Sequence, residues 1–469
     1  MLNNKLILLI LALFSMSAFS NLDQASSALK GSRGVKRMEE VTKRLVRSNY
    51  HFTAIPWAKD FFINNRDRIS SSMEKAIDEL ITVVGTRQFE LIPNRYLKRS
   101  NSNSVRYIIA KKLLRKNKAT EALKYVDKIS ANHPVYPFSL NLKAVAYSLK
   151  GNTKEASNVF KDCENFSSSR LSSAKTTMEK RQLEMNRDYC VMGNARALFQ
   201  ARKYDKANLR YLDIPKSSFV WPEVLFEEAW NSYYLQNYNR TLGKLVTYKA
   251  PLFDYIFNPE IEVLNALTFM KMCLYDDAKK TSDNFYNKYM KDTRSLRSYL
   301  LKRKKQYKYF YRLMISFEKN KKATTDLLEN LLQSISREPS YMDTREALTN
   351  ALKELGKVNG QRNSLMKRIA KKNISDVIRT QRNLVGSYVR ERLVEKYGEL
   401  YKAFQGMSYI KLETLAQRKA KLYNFKDQKS KRGDIKYIQR NDKQYFWNFN
   451  GEFWADELGD YVFALGSEC

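Results

Sequence analysis

The stretch of sequence that decides the fold runs from Tyr136 to Cys163 and reads YPFSLNLKAVAYSLKGNTKEASNVFKDC. Small and aromatic residues recur in it at the spacing of two helices joined by a tight turn: Ala144, Tyr147, Gly151, Ala156 and Phe160. We expect Ala144 and Ala156 to face each other, because larger side chains there would push two closely packed helices apart. Gly151 would end the first helix in a left-handed conformation, which glycine adopts without strain. The stretch therefore predicts one helix–turn–helix unit.

The same frame recurs on both sides of this unit. Ala122 lies 34 residues before Ala156, and a period of 34 residues is typical of repeats built from helix pairs. After Ala156 the corresponding positions follow at spacings of 51, 34 and 37 residues, at Ala207, Thr241 and Ala278. The facing small residues are Ala110, Ala195, Ala229 and Ala266. Five units therefore span residues 103–290, and the extra residues of the longest spacing are expected near residues 167–180.

The segments on either side of the array are also predicted to be helical. Residues 21–102 would form an N-terminal helical cap or degenerate repeats, because a terminal repeat otherwise exposes its apolar face. Residues 291–436 form a basic region of long helices, with one helix expected over Asp292–Glu318 and another over residues 374–423. An apolar seam follows the second of these helices: Ile378, Val385, Val389, Leu393, Tyr397 and Leu400. Such a seam suits a helical hairpin or a partner helix, and packing within the chain is the commoner case.

The tail, residues 437–469, is rich in aromatic residues. They are Tyr445, Phe446, Trp447, Phe449, Phe453, Trp454, Tyr461 and Phe463. An exposed patch of this size would reduce solubility, so we expect the aromatic residues to dock on a helical surface. Asn450-Gly451 is a strong turn signal and favours a short β-hairpin at this point. The fold class is therefore all-α, an array of helix pairs followed by long helices and a short aromatic tail.

The first twenty residues have the pattern of a secretory signal peptide. A weakly basic start precedes an apolar run over Leu6–Phe14, and Ala18-Phe19-Ser20 offers small residues at the cleavage site. The run is short for a membrane span, although an uncleaved anchor helix is the alternative. We predict a periplasmic or secreted protein that is cleaved near Ser20.

An exported chain with four cysteines suggests disulfides, for which three pairings exist. The cysteines are Cys163, Cys190, Cys273 and Cys469. Cys163 and Cys190 flank the extra residues of the array, which favours this pair and leaves Cys273 for Cys469. Free buried thiols are the alternative interpretation.

The charge balance favours anionic partners. The 469 residues contain 84 Lys and Arg but 49 Asp and Glu, a formal net charge of +35. Because an exported protein rarely meets nucleic acid, we expect anionic cell-wall polymers, lipids or acidic proteins rather than nucleic acid. Candidate anion-binding residues lie among tyrosines, a combination that binds polymers by charge and stacking: Lys302, Arg303, Lys304, Lys305 and Lys308. A solvated helix face is the alternative.

The sequence carries no pattern that indicates catalysis. Its two histidines, His51 and His133, have no Cys or acidic residue at metal-ligand spacing. Nucleophile-elbow, zinc-protease and phosphate-loop motifs are missing as well. We therefore predict a chain without catalytic residues, metal or cofactor that is not an enzyme.

The five-unit frame resembles the tetratricopeptide repeat family. Further stretches resemble periplasmic tetratricopeptide proteins of predatory and gliding deltaproteobacteria, including envelope components of gliding motility: WPEVLFEEAW at 221–230, AP at 250–251, NPE at 258–260, FNGEFWADELG at 449–459 and SEC at 467–469. This second resemblance covers about residues 190–290 and 445–469, and it leaves the basic helical region unexplained. It implies a right-handed helical solenoid whose concave groove holds a peptide or helix of another envelope protein.

Two hypotheses about function follow. The first is a non-enzymatic periplasmic scaffold or adaptor that binds envelope proteins through the groove, for example in a motility machinery. The alternative is a binder of anionic cell-wall or lipid polymers through the basic C-terminal helices. The oligomeric state and the identity of the partner are left open by the sequence.

Overall fold

The computed structural model describes residues 22–423 and 433–469, so the predicted signal peptide lies outside the described residues. Within the described ranges the chain folds into helices without an extended β-strand, which confirms the all-α prediction. The chain forms two compact units. The first comprises the chain up to Val135 together with Asp343–Leu384, and the second comprises Tyr136–Met342 together with Val385–Cys469. The division falls inside the segment 103–290 that the sequence suggested as one array.

The first unit contains eight short helices of the described chain. They are α1 Asp23–Gly31, α2 Gly34–Arg47, α3 His51–Asn64, α4 Ser71–Val84, α5 Arg87–Glu90, α6 Asn94–Leu97, α7 Asn103–Leu114 and α8 Ala119–Val126.

The second unit continues with ten helices. They are α9 Tyr136–Leu149, α10 Thr153–Leu171, α11 Thr177–Gln200, α12 Tyr204–Leu212, α13 Trp221–Tyr234, α14 Tyr238–Val246, α15 Glu260–Lys271, α16 Tyr275–Arg303, α17 Tyr307–Asn320 and α18 Asp326–Arg337. Two long helices, α19 Pro339–Asn359 and α20 Leu365–Tyr423, each contribute residues to both units.

Six helix pairs are joined by the same turn. One residue of each turn is left-handed, with φ between 57° and 77°: Asn49, Asn117, Gly151, Arg202, Gln236 and Cys273. In the pair α9–α10, the Gly151 N–H donates to the Ser148 carbonyl at 3.0 Å, and the Asn152 N–H donates to the Tyr147 carbonyl at 3.0 Å. The other five turns contain the same two bonds. This Schellman motif satisfies carbonyl groups that the end of a helix leaves without a partner.

A small residue is completely buried on each side of every one of these turns. Seven residues before the left-handed residue lie Thr42, Ala110, Ala144, Ala195, Ala229 and Ala266, and five residues after it lie Ala54, Ala122, Ala156, Ala207, Thr241 and Ala278. Each is 0% exposed. In the pair α9–α10, Ala144 and Ala156 lie in one cluster with Phe160, and Tyr147 packs against it half-buried. The small side chains allow the two helices of a pair to approach closely.

The pair α2–α3 belongs to the same frame, although the sequence suggested only a cap or degenerate repeats there. Its turn residue Asn49 lies 68 residues before Asn117, which is twice the period. The signal was present, since Thr42 and Ala54 occupy the two small positions. Threonine in place of alanine concealed it, and so did the helices between the two turns, α4 to α6, which do not repeat the turn.

The extra residues of the longest repeat spacing, from Ala156 to Ala207, lie mainly in helices rather than in a loop. Helix α10 has 19 residues and α11 has 24, so the extra residues lengthen the helices around residues 167–180. Cys163 in α10 and Cys190 in α11 form a disulfide, and Cys273 forms one with Cys469. Both predicted cysteine pairs are thus confirmed.

The single helix predicted over Asp292–Glu318 is wrong, because α16 ends at Arg303 and α17 begins at Tyr307. Lys304 between them is left-handed, with φ 37°. Like charges three or four residues apart repel each other on a helix, as Lys304 and Lys308 would, whereas cations in a last turn are stabilised by the helix dipole. The run from Lys302 to Lys305 is therefore more compatible with a helix end than with a helix interior.

The β-hairpin expected at Asn450-Gly451 is also not formed. Gly451 has φ 99° and makes a bend, but the residues on either side of it in the described tail form no strand. Instead, the tail packs on α14 through Leu458 to Leu465, where the Leu465 N–H donates to Asn239 and the Gly459 N–H donates to Thr247. One further main-chain bond links two parts of the tail, from the Gly433 N–H to the Ala464 carbonyl at 2.9 Å.

Candidate anion-binding site

The predicted anion-binding residues lie together in one exposed turn between α16 and α17, residues 302–308, which we call the basic turn. Lys302, Lys304, Lys305 and Lys308 are exposed, and Arg303 is half-buried. Lys302 and Arg303 occupy the last turn of α16, where the helix dipole favours positive charge. The turn therefore concentrates five cations within seven residues.

An aromatic platform orders the half-buried cation. The Arg303 guanidinium lies 4.2 Å from the centre of the Tyr309 ring, a cation–π arrangement. The Tyr299 hydroxyl donates to the Tyr309 hydroxyl at 2.9 Å, which fixes the ring. Burial, together with the hydrogen bond to Tyr309, raises the pKa of Tyr299. This phenol therefore stays neutral and adds no negative charge near the turn.

The surroundings of the basic turn are also cationic. Between Asp283 and Glu318 the chain carries ten Lys and Arg residues and one acidic residue, Asp292. Exposed cations continue along α16: Lys288, Lys291, Arg294 and Arg297. Within residues 22–423 and 433–469, the four lysines of the basic turn form no ion pair. Their charge is therefore available to a ligand.

One exposed apolar residue lies beside these cations. Leu301 precedes the basic turn directly and is 60% exposed. A long apolar side chain next to lysines is a feature of surfaces that meet lipid head groups.

Three carboxylates of the array, in contrast, are compensated by cations. The Arg196 guanidinium donates to Glu227 at 2.7 Å and to Glu223 at 2.6 Å. The adjacent Glu228 pairs with Lys244 at 3.3 Å. Burial raises the pKa values of Glu227 and Glu228, while Arg196 and Lys244 respectively oppose the rise. These glutamates, neighbours in the sequence, therefore serve two separate ion pairs.

The last helix pair of the array is covered by the chain's own long helix. Phe404 of α20 packs against Phe285 of α16 with ring centres 4.9 Å apart, and Arg418 pairs with Asp276 at 3.0 Å. Gly406 lies so close to Val263 of α15 that a Cβ atom there would be 3.1 Å away. The apolar seam of α20 is buried in the same way, since Val385, Val389, Leu393 and Leu400 are inaccessible. This agrees with packing within the chain.

An aromatic group lies at the turns of the third and fourth of the five predicted pairs. Tyr204 and Tyr234 stack with ring centres 5.3 Å apart. Further rings join them in edge-on or tilted contacts: Phe199, Trp230, Tyr233 and Tyr238. Tyr234 is exposed, so this group presents an apolar surface on the array.

The aromatic residues of the tail do not all dock. Residues 445–454, which we call the aromatic loop, leave Tyr445 80% and Trp447 77% exposed, and Phe449 and Trp454 are more than half exposed. The prediction that these side chains are buried is therefore wrong. Their neighbours Phe453 and Tyr461 do pack, against the cluster that contains Leu458. Sequence reasoning had no signal for this difference, because all of these residues are aromatic.

Each of the two histidines lies near an acidic residue. His51 lies 3.6 Å from Glu79, and His133 lies 3.3 Å from Asp78. Among the described residues, no group of three or more His, Cys, Asp and Glu side chains is arranged to hold a metal ion. The described helices also include none with the length and apolar character needed to cross a membrane.

Comparisons with known proteins give no family. No protein-family model matches this sequence, and no curated protein matches it. Among solved structures the chain is similar to a circular tandem repeat protein with novel repeat topology and enhanced subunit contact surfaces. The alignment has 12% identity, covers 82% of this chain and 91% of that chain, and has a TM-score of 0.19.

Proposed function

We propose that this chain is a non-enzymatic binding protein of the cell envelope whose basic turn holds an anionic cell-wall polymer or anionic lipid head groups. The observation that carries the proposal is the exposure of Lys302, Lys304, Lys305 and Lys308 without ion-pair partners in the described chain. A cluster of this kind raises the local concentration of anionic groups by electrostatic attraction.

The chemistry of the turn suits repeated phosphate or carboxylate groups. Lysine acts as a mobile point charge, so it tolerates variable spacing along a polymer. Arg303, ordered over Tyr309, adds a planar donor that can bind two oxygens at once. The site would thus respond to the density of negative charge on the ligand rather than to a defined order of ligand groups.

Sedimentation tests this proposal. The protein is mixed with purified cell wall, with vesicles of anionic lipid or with vesicles of zwitterionic lipid, and the bound fraction is measured at about 0.05 M and about 0.5 M salt. We expect binding to one anionic material, loss of binding at high salt, and loss in a triple variant Lys302→Glu, Lys304→Glu, Lys305→Glu. Cell wall and anionic lipid are separate arms, so the result identifies the source of the anionic groups.

A matched control changes the same charge elsewhere. Arg368, Lys371 and Lys372 are exposed on α20, and replacing all three by glutamate alters the net charge equally. This control should bind like the wild type. Equal loss in both variants would mean that only the net charge matters, and binding that is indifferent to salt would refute the proposal.

The second candidate function is a tetratricopeptide-type scaffold that binds other envelope proteins, in line with the resemblance to motility components. The tandem helix pairs and the aromatic group around Tyr204 and Tyr234 favour it. Because α20 covers the last pair, a partner segment would contact an earlier pair, and exposed Tyr234 favours the pairs from α11 to α14. Capture of the same envelope protein by the wild type, but not by a Trp230→Ala, Tyr234→Ala variant, would support this function.

A further inference from the structure

The aromatic loop is followed by a segment of the tail that packs tightly on the helices, beginning at Leu458. Gly459 packs so closely on α13 that a Cβ atom there would lie 3.1 Å from the Trp221 ring. The Gly459 N–H donates to the Thr247 hydroxyl at 3.1 Å. The end of the tail is attached by the disulfide between Cys273 and Cys469. The exposed side chains of the loop are therefore presented from a fixed base.

The exposed surface of this loop is unusual for a soluble protein. Four large aromatic side chains within ten residues are each more than half exposed: Tyr445, Trp447, Phe449 and Trp454. Tryptophan and tyrosine are enriched where proteins associate, because each buries a large apolar area and keeps a polar atom for hydrogen bonding. The loop thus has the composition of a docking surface.

The charge around the loop selects the class of partner. Residues 433–469 carry seven acidic side chains and three basic ones, although the whole chain has a net charge of +35. Glu452 lies within the loop, and Asp456 and Glu457 follow it, whereas Asp460 pairs with Lys216 at 2.9 Å. Like charges repel, so an anionic polymer or anionic lipid surface is disfavoured here. A cationic surface with aromatic residues is favoured.

The chain itself carries such a surface in the basic turn. There, exposed lysines lie beside half-buried Tyr307 and Tyr309. Lysine or arginine over tryptophan gives the strongest cation–π contacts among the aromatic side chains. The two surfaces complement each other in charge and in side-chain type.

Both surfaces are exposed within one chain, so neither covers the other. Cys273, which holds the last residue of the tail, precedes α16, and the basic turn follows it. At 1.5 Å per residue, the 29 residues of α16 separate these two points by about 43 Å.

We propose that the aromatic loop of one molecule docks on the basic turn of a second copy of this chain. When the loop of one molecule occupies the turn of another, the first molecule keeps a free turn and the second keeps a free loop. Contacts of this kind produce rings or open filaments rather than closed two-fold dimers. The inference does not depend on anionic polymer binding, but a polyanion would compete with the loop for the same turn.

Sedimentation velocity of the purified chain without polymer, over a range of concentrations and at low salt, tests the docking. We expect association that increases with concentration and is weakened by salt. A loop variant, Trp447→Ala with Trp454→Ala, should weaken association at least about tenfold. A turn variant, Lys302→Glu with Lys304→Glu and Lys305→Glu, should do the same.

Mixing the two variants gives the decisive result. The loop variant retains an intact turn and the turn variant retains an intact loop, so the mixture should form a one-to-one complex that does not grow further. Matched controls are Tyr409→Ala with Leu412→Ala, two other exposed apolar residues, and glutamate at Arg368, Lys371 and Lys372. Both controls should associate like the wild type.

Three outcomes would overturn the proposal: a wild type that is monomeric at every concentration, a loop variant that associates normally, or a mixture of the two variants that stays monomeric. The loop variant should still bind the anionic material of the first proposal. Failure of self-association can therefore be told apart from failure of polymer binding.

Discussion

The side-chain amide of Asn239 forms hydrogen bonds with both main-chain groups of Leu465. Its Oδ1 accepts from the Leu465 N–H at 3.1 Å, and its Nδ2 donates to the Leu465 carbonyl at 3.1 Å. The same Nδ2 donates to the Tyr437 carbonyl at 2.9 Å. One buried residue of α14 thus holds two segments of the tail on the helix, one at Tyr437 and one at Leu465.

Removing this amide should loosen the tail. We expect Asn239→Ala to lower the free energy of unfolding by about 1–3 kcal/mol, because it leaves buried main-chain groups without partners. Hydrogen exchange at Leu465 should become faster. Exposed Asn287, replaced by alanine, is the matched control and should change neither quantity. Unchanged exchange at Leu465 in Asn239→Ala would show that the tail is held by other contacts.

The disulfide to Cys469 should protect the tail from proteolysis. We expect Cys469→Ser to lower the stability by about 2–4 kcal/mol, since the bond closes a loop of 196 residues. Limited proteolysis should then cut within residues 433–469 first. Loss of the other bond, in Cys163→Ser with Cys190→Ser, should leave the tail protected. If both variants lose the tail at the same rate, the local role of Cys469 is contradicted.

A side chain at Gly151 should lower the stability of the protein only through the left-handed backbone conformation at that position. No atom lies within 4 Å of a Cβ added there, but φ is 77°. We expect Gly151→Ala to destabilise the protein by about 1–2 kcal/mol, the cost of a left-handed residue with a side chain. Gly356→Ala in α19 is the control, because that site is equally open and has no positive φ. It should be neutral or stabilising, and both changes are measured by chemical denaturation.

Acid should destabilise the first unit through Glu90. Burial raises the pKa of Glu90, but attraction by Lys111, Arg115 and Arg87 outweighs burial and lowers it from 4.5 to about 2. Its carboxylate pairs with Lys111 at 2.9 Å and with Arg115 at 2.7 Å. A lowered folded-state pKa means that its stabilisation is complete above pH 4.5 and is lost as the pH falls towards 2.

The size of this loss follows from the shift and is on the order of 3 kcal/mol. We expect Glu90→Gln to be less stable than the wild type at pH 6 and to lose less stability between pH 5 and pH 2. Unfolding by urea at each pH measures both effects. The exposed pair of Glu121 with Lys118 is the control, and Glu121→Gln should keep the pH dependence of the wild type. A Glu90→Gln variant with the wild-type pH profile would contradict the assignment.

The helix pairs could be predicted because each is defined by nearby residues. Ala144, Gly151 and Ala156 lie within thirteen residues, and the turn between them closes through hydrogen bonds to the preceding helix. Such local geometry repeats whenever the spacing repeats. The pair around Asn49 was predicted only as a cap or a degenerate repeat, because threonine stands at one small position and the next helices, α4 to α6, do not repeat the turn.

The break at Lys304 could also have been read from the sequence. Four consecutive cations, Lys302 to Lys305, are better placed at a helix end than inside a helix, for the electrostatic reason given above. The apolar period on both sides of the break concealed it, because Leu300, Phe310 and Met314 keep a helical spacing across the gap.

The amino-acid sequence alone determined the all-α class and the spacing of the helix pairs, since these depend on short-range patterns. It favoured one pairing of the four cysteines, which the structure then confirmed. Only the tertiary structure decided that α20 covers the last pair, that Asn239 binds Leu465, and that Trp447 remains exposed while Tyr461 packs. Asn239 and Leu465 are 226 residues apart, and no periodicity relates them. Which surfaces of a folded chain meet depends on the shape and charge of whole faces, and a one-dimensional pattern does not contain that information.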